Sequence, residues 1–393
     1  MRSVRLKKGK EKPLLARHHW VFSGAIARVE EGIEGGEMVT VEDYSGRRLG
    51  CGYYNSRSQI RVRMLSFGDE EPDSAHLRRL ISESLERRKE NPLLRGTNAL
   101  RLIHAEGDAL PGLVVDDYNG HLVLQVLTLG MDRLRDRVVE ILKELRDPKS
   151  LYERSDGPGR EVEGLPERTG VLYGSVPEEI EIEEAGCLFS VDVRRGQKTG
   201  FFLDQRDNRH LIGSLAGGRR VLNLFSYTGG FTVAAARGGA RGVMSVDASA
   251  DALARARKNS KINGLADRFA ENLEYCQADV FDYLRNEKIE ADLIILDPPA
   301  FAKSRGSVER ACGGYKDINR LALAGCPRGS FLLTCSCSRF VDGDLFQKVV
   351  FAAALDAGRR AFLVRRTFQP ADHPVNLYHP EGEYLKALLL YVE

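Results

Sequence analysis

The chain has no apolar stretch near the ~20 residues needed to cross a bilayer, so no membrane span is expected. Its first residues, MRSVRLKKGKEKP, are basic but lead into no apolar core, which argues against a secretory signal. It has no Cys-x-x-Cys pair, so neither structural zinc nor any other metal is expected. The seven cysteines are odd in number and unpaired in spacing, which points to a reducing, cytoplasmic compartment. There is no G-x-G-x-x-G and no P-loop, which disfavours a dinucleotide or a nucleoside triphosphate. A strong net charge is lacking too, since 58 Lys+Arg against 56 Asp+Glu leave +2. The charge is uneven, however: residues 1–67 hold 13 Lys+Arg and 7 Asp+Glu, an excess of six.

What is present is a 393-residue chain, long enough for two or three domains, with the 42% hydrophobic and 29% charged content of a soluble protein. Short strands are predicted at 37–41, 48–53 and 59–65. In the last, Ile60, Val62 and Met64 alternate with Arg61 and Arg63, so one face would pack and the other would show two guanidiniums. Trp20 and Phe22 are expected in the core. Residues 1–70 thus suggest a small β-barrel that binds RNA. Ser74 is expected to cap a helix reaching about residue 90. Strands at 100–104, 112–118 and 121–127, a hairpin at Asn119-Gly120 and a helix over 132–145 make residues 74–187 an α+β domain. Asp116 and Asp117 flank that hairpin and are expected to be structural.

From residue 188 the pattern changes. A strand at 189–193 leads into a polar segment carrying adjacent Phe201 and Phe202, which could wall an adenine. Strands at 220–224, 242–247, 276–280, 293–296 and 330–335 then alternate with helices at 231–237, 250–263 and 317–323. Such alternation predicts a parallel, doubly wound sheet over 188–393. Polar residues punctuate the strand ends. Asn223 to Gly230 ends in Gly229-Gly230, which permit a tight turn and close ligand approach. Asp247 could accept both hydroxyls of a ribose, and Asp279 an adenine amino group. A ribose and an adenine without a phosphate cradle suggest S-adenosylmethionine. Asp297 ends the apolar run 293–296 and is followed by Pro298 and Pro299, which cannot continue a ladder. Cys335 and Cys337, flanked by hydroxyls at the next strand exit, fit a nucleophile. A thiolate adding to C6 of cytosine would make C5 nucleophilic, and Asp297 could serve N3.

The strings QKTGFFLDQRDNR (197–209), NLFSYTGG (223–230), Asp247-Ala248-Ser249, Asp297 to Phe301, Ser336-Cys337-Ser338 and Ala371 to Val375 carry a resemblance, as do RHHWVFSGAI and GYYNSRSQIRVR near the start. Together they resemble the class I S-adenosylmethionine-dependent ribosomal RNA (cytosine-C5) methyltransferases of the RlmI type, over nearly the whole length. The resemblance implies an α/β fold: a Rossmann-like methyltransferase domain preceded by a PUA-like barrel and a central α+β domain. It implies Cys337 as the nucleophile with Asp297 beside it, and Cys335 as the second candidate. It implies that the cofactor lies against Phe201, Gln205, Arg206, Asn223, Phe225, Tyr227, Gly229, Asp247, Ala248, Asp279, Asp297 and Pro298. Asn223 stands for the acid of the common D-x-G-x-G-x-G motif, and Phe225 and Tyr227 for two of its glycines, a departure the family shares. The implied substrate is a cytosine of large-subunit ribosomal RNA, turned out of its stack, and the candidate assembly is a homodimer. His373 could assist at the site, but its neighbour Pro374 favours a structural turn. Two rivals are an amino-group methyltransferase, although Ala300 separates Asp-Pro-Pro from Phe301, and a non-catalytic RNA-binding assembly factor.

Overall fold

A computed structural model describes residues 1–157, 159–265, 269, 272–302 and 304–393. Contacts divide the chain into two units. One comprises Met1–Ile182, Val191–Leu203 and Ala371–Gly382; the other comprises Glu183–Ser190, Asp204–Pro370 and Glu383–Glu393.

The first unit holds a six-stranded sheet in the order Trp20–Phe22, Ile60–Phe67, Arg48–Tyr54, Met38–Glu42, Ser3–Leu6, Ile26–Val29. Val4, Val39, Val41, Val62 and Met64 form its core. Trp20 is buried, and its Nε1 donates to Glu106 Oε1 at 2.7 Å. Phe22 departs from expectation. It is 47% exposed, just past a register shift that ends its strand's regular pairing. Arg63 also departs from expectation: its side chain is only 11% exposed and its Nη1 donates to Glu163 Oε1 at 2.7 Å. A partner 100 residues away therefore occupies the guanidinium that alternation alone would point at solvent.

The same unit holds a five-stranded sheet ordered Arg168–Gly174, Ser150–Ser155, His121–Val126, Leu113–Tyr118, Ala99–His104. Tyr118 pairs with His121 across Asn119-Gly120, whose φ values of 54° and 86° suit a two-residue hairpin turn. Helices Ser74–Glu90 and Leu129–Arg146 contribute Leu77, Ile81, Val138 and Ile141 to its core. The cap of the first helix is Asp73 rather than Ser74: its carboxylate accepts from the His76 N–H at 2.8 Å. Asp116 is gripped by Arg101 at 2.8 and 2.9 Å and accepts from Thr199 Oγ1, and Asp117 accepts from Arg146 at 2.6 Å, so both acids hold structure together.

The second unit is built on seven strands, in the order Leu273–Gln277, Gly242–Asp247, Arg220–Leu224, Leu293–Leu296, Ser330–Ser336, Lys386–Val392, Ala361–Thr367. The first five are parallel. The chain's last strand inserts antiparallel between Ser330–Ser336 and Ala361–Thr367. The alternating pattern predicted the parallel part; the antiparallel pair is an addition to it. Leu293, Ile294, Ile295 and Leu296 are all fully buried. Such side chains each contribute roughly 1.5–3 kcal/mol on burial. Helices Arg206–Leu215, Gly230–Arg237 and Ala250–Ile262 pack among themselves, as do Val280–Asn286, Val308–Gly325 and Gly343–Asp356. The strand expected at 276–280 lies earlier, at Leu273–Gln277, because Asp279 caps the helix Val280–Asn286. The order of strands reverses between Arg220–Leu224 and Leu293–Leu296, the switch point where open α/β sheets hold ligands. Among the described residues no helix is long and apolar enough to cross a membrane.

Candidate active site

All five parallel strands of the second unit deliver polar groups at their carboxyl ends. After Arg220–Leu224 the chain turns sharply. Phe225 and Tyr227 both adopt left-handed backbone, φ 58° and 46°, and Gly229 follows at 77°. The two aromatic residues therefore take the conformation that glycines take in the common motif, at a steric cost of order 1–3 kcal/mol each. The turn is held from the next strand: Asp247 Oδ2 accepts from the Tyr227 N–H at 2.8 Å, and Ser226 N–H donates to Val246 O at 3.0 Å. Asp247 Oδ1 accepts from the Ser249 N–H at 2.9 Å, across exposed Ala248. Each carboxylate oxygen keeps a further lone pair, enough for a pair of hydroxyls. Gly229 is needed for packing as well as for φ, since a Cβ there would lie 2.8 Å from that of Ala256.

Asn223 sits beneath this turn, fully buried. Its Nδ2 donates to Thr232 Oγ1 at 2.9 Å, and its Oδ1 is buried without a partner among the described residues. Asp279 is exposed; its Oδ1 accepts from the Phe281 and Asp282 N–H groups at 2.8 and 3.1 Å. Arg206 is buried beside Glu184, which Arg209 holds at 2.6 and 2.7 Å. Phe201 belongs to the first unit, where its backbone N–H meets the Tyr118 hydroxyl at 3.3 Å.

At the centre of the sheet, Leu296 pairs with Thr334, so Asp297 leaves its strand level with Cys335, which lies near the end of the next one. Gln205 Nε2 donates to Asp297 Oδ2 at 2.8 Å, and its Oε1 accepts from Asn208 at 2.6 Å. The half-buried Asp297 carboxylate is thus oriented by a buried amide, and the next residue, Pro298, is buried. Cys335 is fully buried, and burial followed by the Asp297 charge pushes its thiol well above the ordinary cysteine range. Cys337, one step past the strand end, is partly exposed. The segment around it is stitched down. Ser338 Oγ accepts from the Ala302 N–H at 3.1 Å and pairs with the Tyr315 hydroxyl at 2.8 Å, joining the Cys337 loop to the loop that begins at Asp297. Ser338 O accepts from Lys386 Nζ at 2.8 Å. Ser338 belongs to the Ser336-Cys337-Ser338 string, but Lys386 does not stand out in the sequence; strand pairing brings it here.

His373 lies in the first unit, buried, with Nδ1 3.0 Å from Asp372 Oδ1, while Asp372 Oδ2 accepts from the Arg101 N–H. Among the described residues one trio could offer metal ligands: His18, His379 and Glu381. Its own hydrogen bonds already close it. Trp20 N–H donates to His18 Nδ1 at 3.1 Å, which leaves the ring proton on Nε2, facing Glu381 Oε2 at 3.1 Å. A metal would need that nitrogen bare.

The turn after Asn223, the Asp247 carboxylate and the rim at Asp297 fit an adenosine-bearing methyl donor. Comparison with known proteins gives the same direction. Residues 167–390 match the family of S-adenosylmethionine-dependent methyltransferases, and residues 4–67 match the PUA-like domain family. The ribosomal RNA large subunit methyltransferase I of Aeromonas salmonicida is 45% identical over 394 residues, covering 98% of each chain, and that of Tolumonas auensis is 45% identical over 99% of this chain and 98% of its own. Among solved structures, SMU.776, a methyltransferase in complex with SAH, superposes with TM-score 0.86 at 25% identity, covering 99% of this chain and 100% of its own. A SAM-dependent methyltransferase from Streptococcus mutans gives 0.84 at the same identity and coverage. The chain belongs to the S-adenosylmethionine-dependent methyltransferase family, in the group of ribosomal RNA large subunit methyltransferase I proteins that carry an N-terminal PUA-like domain.

Proposed function

We propose that this protein methylates C5 of a cytosine in large-subunit ribosomal RNA through a covalent bond to Cys337. Its relatives' names supply the RNA. The observation that carries the chemistry is the contrast between two cysteines: Cys337 is partly exposed at the carboxyl rim of the sheet, whereas Cys335 is sealed in the core with its thiol pushed up. Only a thiolate with access can attack.

The Cys337 thiolate adds to C6, forming an S–C6 bond and moving electron density through the ring to C5. Asp297, oriented by Gln205, must take up a proton from solvent so that it can donate to N3, where negative charge gathers. The Phe225–Gly229 turn and Asp247 would hold S-adenosylmethionine, which would supply an electrophilic methyl group for C5 and depart as S-adenosylhomocysteine. A base then removes the C5 proton, and the C6–S bond breaks to return the thiolate. Asp247 would accept from the ribose, Asp279 from the adenine edge, and Asn223 would brace the turn from below. Arg206, Ala248 and Pro298 would complete the cofactor's surroundings within the second unit. Mass spectrometry of nucleosides from treated RNA tests this reading: 5-methylcytidine is expected, whereas an amino-methylated base would indicate chemistry that needs no thiol. No methyl incorporation at all would favour an RNA-binding assembly factor.

RNA would be held through three functional parts: residues 1–70, 74–187 and 188–393. Exposed Lys8, Lys10 and Lys12 form the basic stretch nearest the start, and exposed Phe22 adds a surface on which a base can stack. Changing all three lysines to glutamate is expected to weaken RNA binding roughly tenfold or more at 0.1 M salt and to flatten the salt dependence by about 0.7–0.9 per lost phosphate contact. Filter binding across a salt series measures both; an unchanged slope would exclude these lysines from the interface.

Action in the cytoplasm follows from the substrate. For assembly, the edge strand Ala361–Thr367 leaves Phe362, Leu363 and Val364 exposed beside an open ladder, a surface that a second copy could pair with. Sedimentation should find a dimer that Phe362→Asp with Val364→Asp splits. A wild-type monomer at micromolar concentration would remove the dimer from the account.

A further inference from the structure

We propose that Lys386 is a positioning cation for Cys337: its buried ammonium holds the neighbouring sulfur as the thiolate before RNA binds. This rests on the reading of Cys337 as the nucleophile.

Lys386 opens the chain's last strand and pairs with Ser336, the residue before Cys337. It is 3% exposed. Its Nζ donates to Ser338 O at 2.8 Å and to Tyr384 O at 2.7 Å, so it is tied to the carbonyl just after Cys337. Both acceptors are neutral, and no carboxylate of the described residues comes within ion-pairing distance of it. Its stem passes Gly343 at ordinary contact distance, with Cγ 3.8 Å from where a Cβ there would lie. A lysine buried this way costs free energy unless something repays the desolvation. Burial accordingly pulls its pKa down to about 8, and the groups that resist the fall are Cys337 first, then Glu383 and Asp342. The interaction is mutual: what a thiolate does for the ammonium, the ammonium does for the thiolate. At pH 7 the lysine keeps its proton, and the proton lost by Cys337 passes to solvent. Cys335, by contrast, faces the Asp297 carboxylate, which disfavours its ionisation. The two thiols thus stand in unlike surroundings, Cys337 beside a cation at the rim and Cys335 beside an anion in the core.

Alkylation by iodoacetamide, followed on the Cys337 peptide by mass spectrometry across pH 5.5–9.5, tests the proposal on the full chain without RNA or cofactor. Wild-type Cys337 should react with an apparent pKa about one unit or more below the ~8.5 of free cysteine. Lys386→Met should raise it, slowing alkylation at pH 7 about tenfold, because each pKa unit is tenfold in thiolate. Lys386→Arg should restore part of the rate. An ordinary pKa in the wild type would overturn the proposal even if Lys386→Met failed to fold, and so would an identical profile in a folded Lys386→Met. Methyl transfer by Cys337→Ala is assayed separately: activity there would remove the nucleophile itself, whereas an inactive Cys337→Ala together with an alkylation profile that Lys386→Met leaves unmoved would remove only the role given to Lys386.

Discussion

Cys337→Ala is expected to lower methyl transfer by on the order of 10⁴-fold or more, while S-adenosylmethionine binds within about twofold of wild type. C5 of cytosine is too weakly nucleophilic to accept a methyl group unaided, so losing the thiolate removes the step that activates it. The elements proposed to hold the cofactor, the Phe225–Gly229 turn and Asp247, are tied to each other and to the strand ending at Asp247 through hydrogen bonds that do not involve the cysteine. Methyl incorporation with labelled donor, alongside calorimetric binding, separates the two effects. Cys335→Ala supplies the contrast. Its sulfur is fully buried and its thiol is pushed up, so the substitution should cost about 1 kcal/mol of stability and leave most of the activity.

The second large effect is expected at Asp297. Asp297→Ala removes the group assigned to N3 and leaves Gln205 Nε2 without its acceptor. A positioned acid or hydrogen-bond partner contributes typically 10²–10⁴-fold, and a loss of that size in kcat is expected. Gln205→Ala leaves the carboxylate in place but free to turn, so it should lose less, by roughly tenfold. Equal losses in the two variants would mean that Asp297 acts only through the packing of its loop.

The strand ends were legible because each is written locally. Four apolar residues followed by Asp297 and two prolines can be little else than an inner strand with a carboxylate at its exit, and Asp247 follows the same rule. Asp279 shows where that rule weakens. The same residue serves a strand exit and a helix cap, and the cap, set by two N–H groups within three residues of it, fixes where the strand must already have ended. Partners far apart in the chain were not legible at all. Arg63 looked solvent-facing because its alternation is right, yet Glu163 takes it up. Phe225 and Tyr227 gave no sign in composition of a left-handed turn, since only glycine announces that conformation. Lys386 acquires its meaning from an antiparallel strand placed between two others, a register that no local pattern records. The site is therefore readable in its acids and thiols, and hidden in what orients them.

The covalent account is tested most directly with RNA in which cytosines are replaced by 5-fluorocytosine. After thiolate addition and methyl transfer, C5 carries fluorine where a removable proton should be, so the base has nothing to abstract and the C6–S bond cannot break. A protein–RNA adduct that survives denaturation, with the RNA mapped by mass spectrometry to the peptide containing Cys337 and absent in Cys337→Ala, is the predicted result. Methyl transfer to the natural RNA without any such adduct on the fluorinated one, or an adduct on another residue, would contradict it.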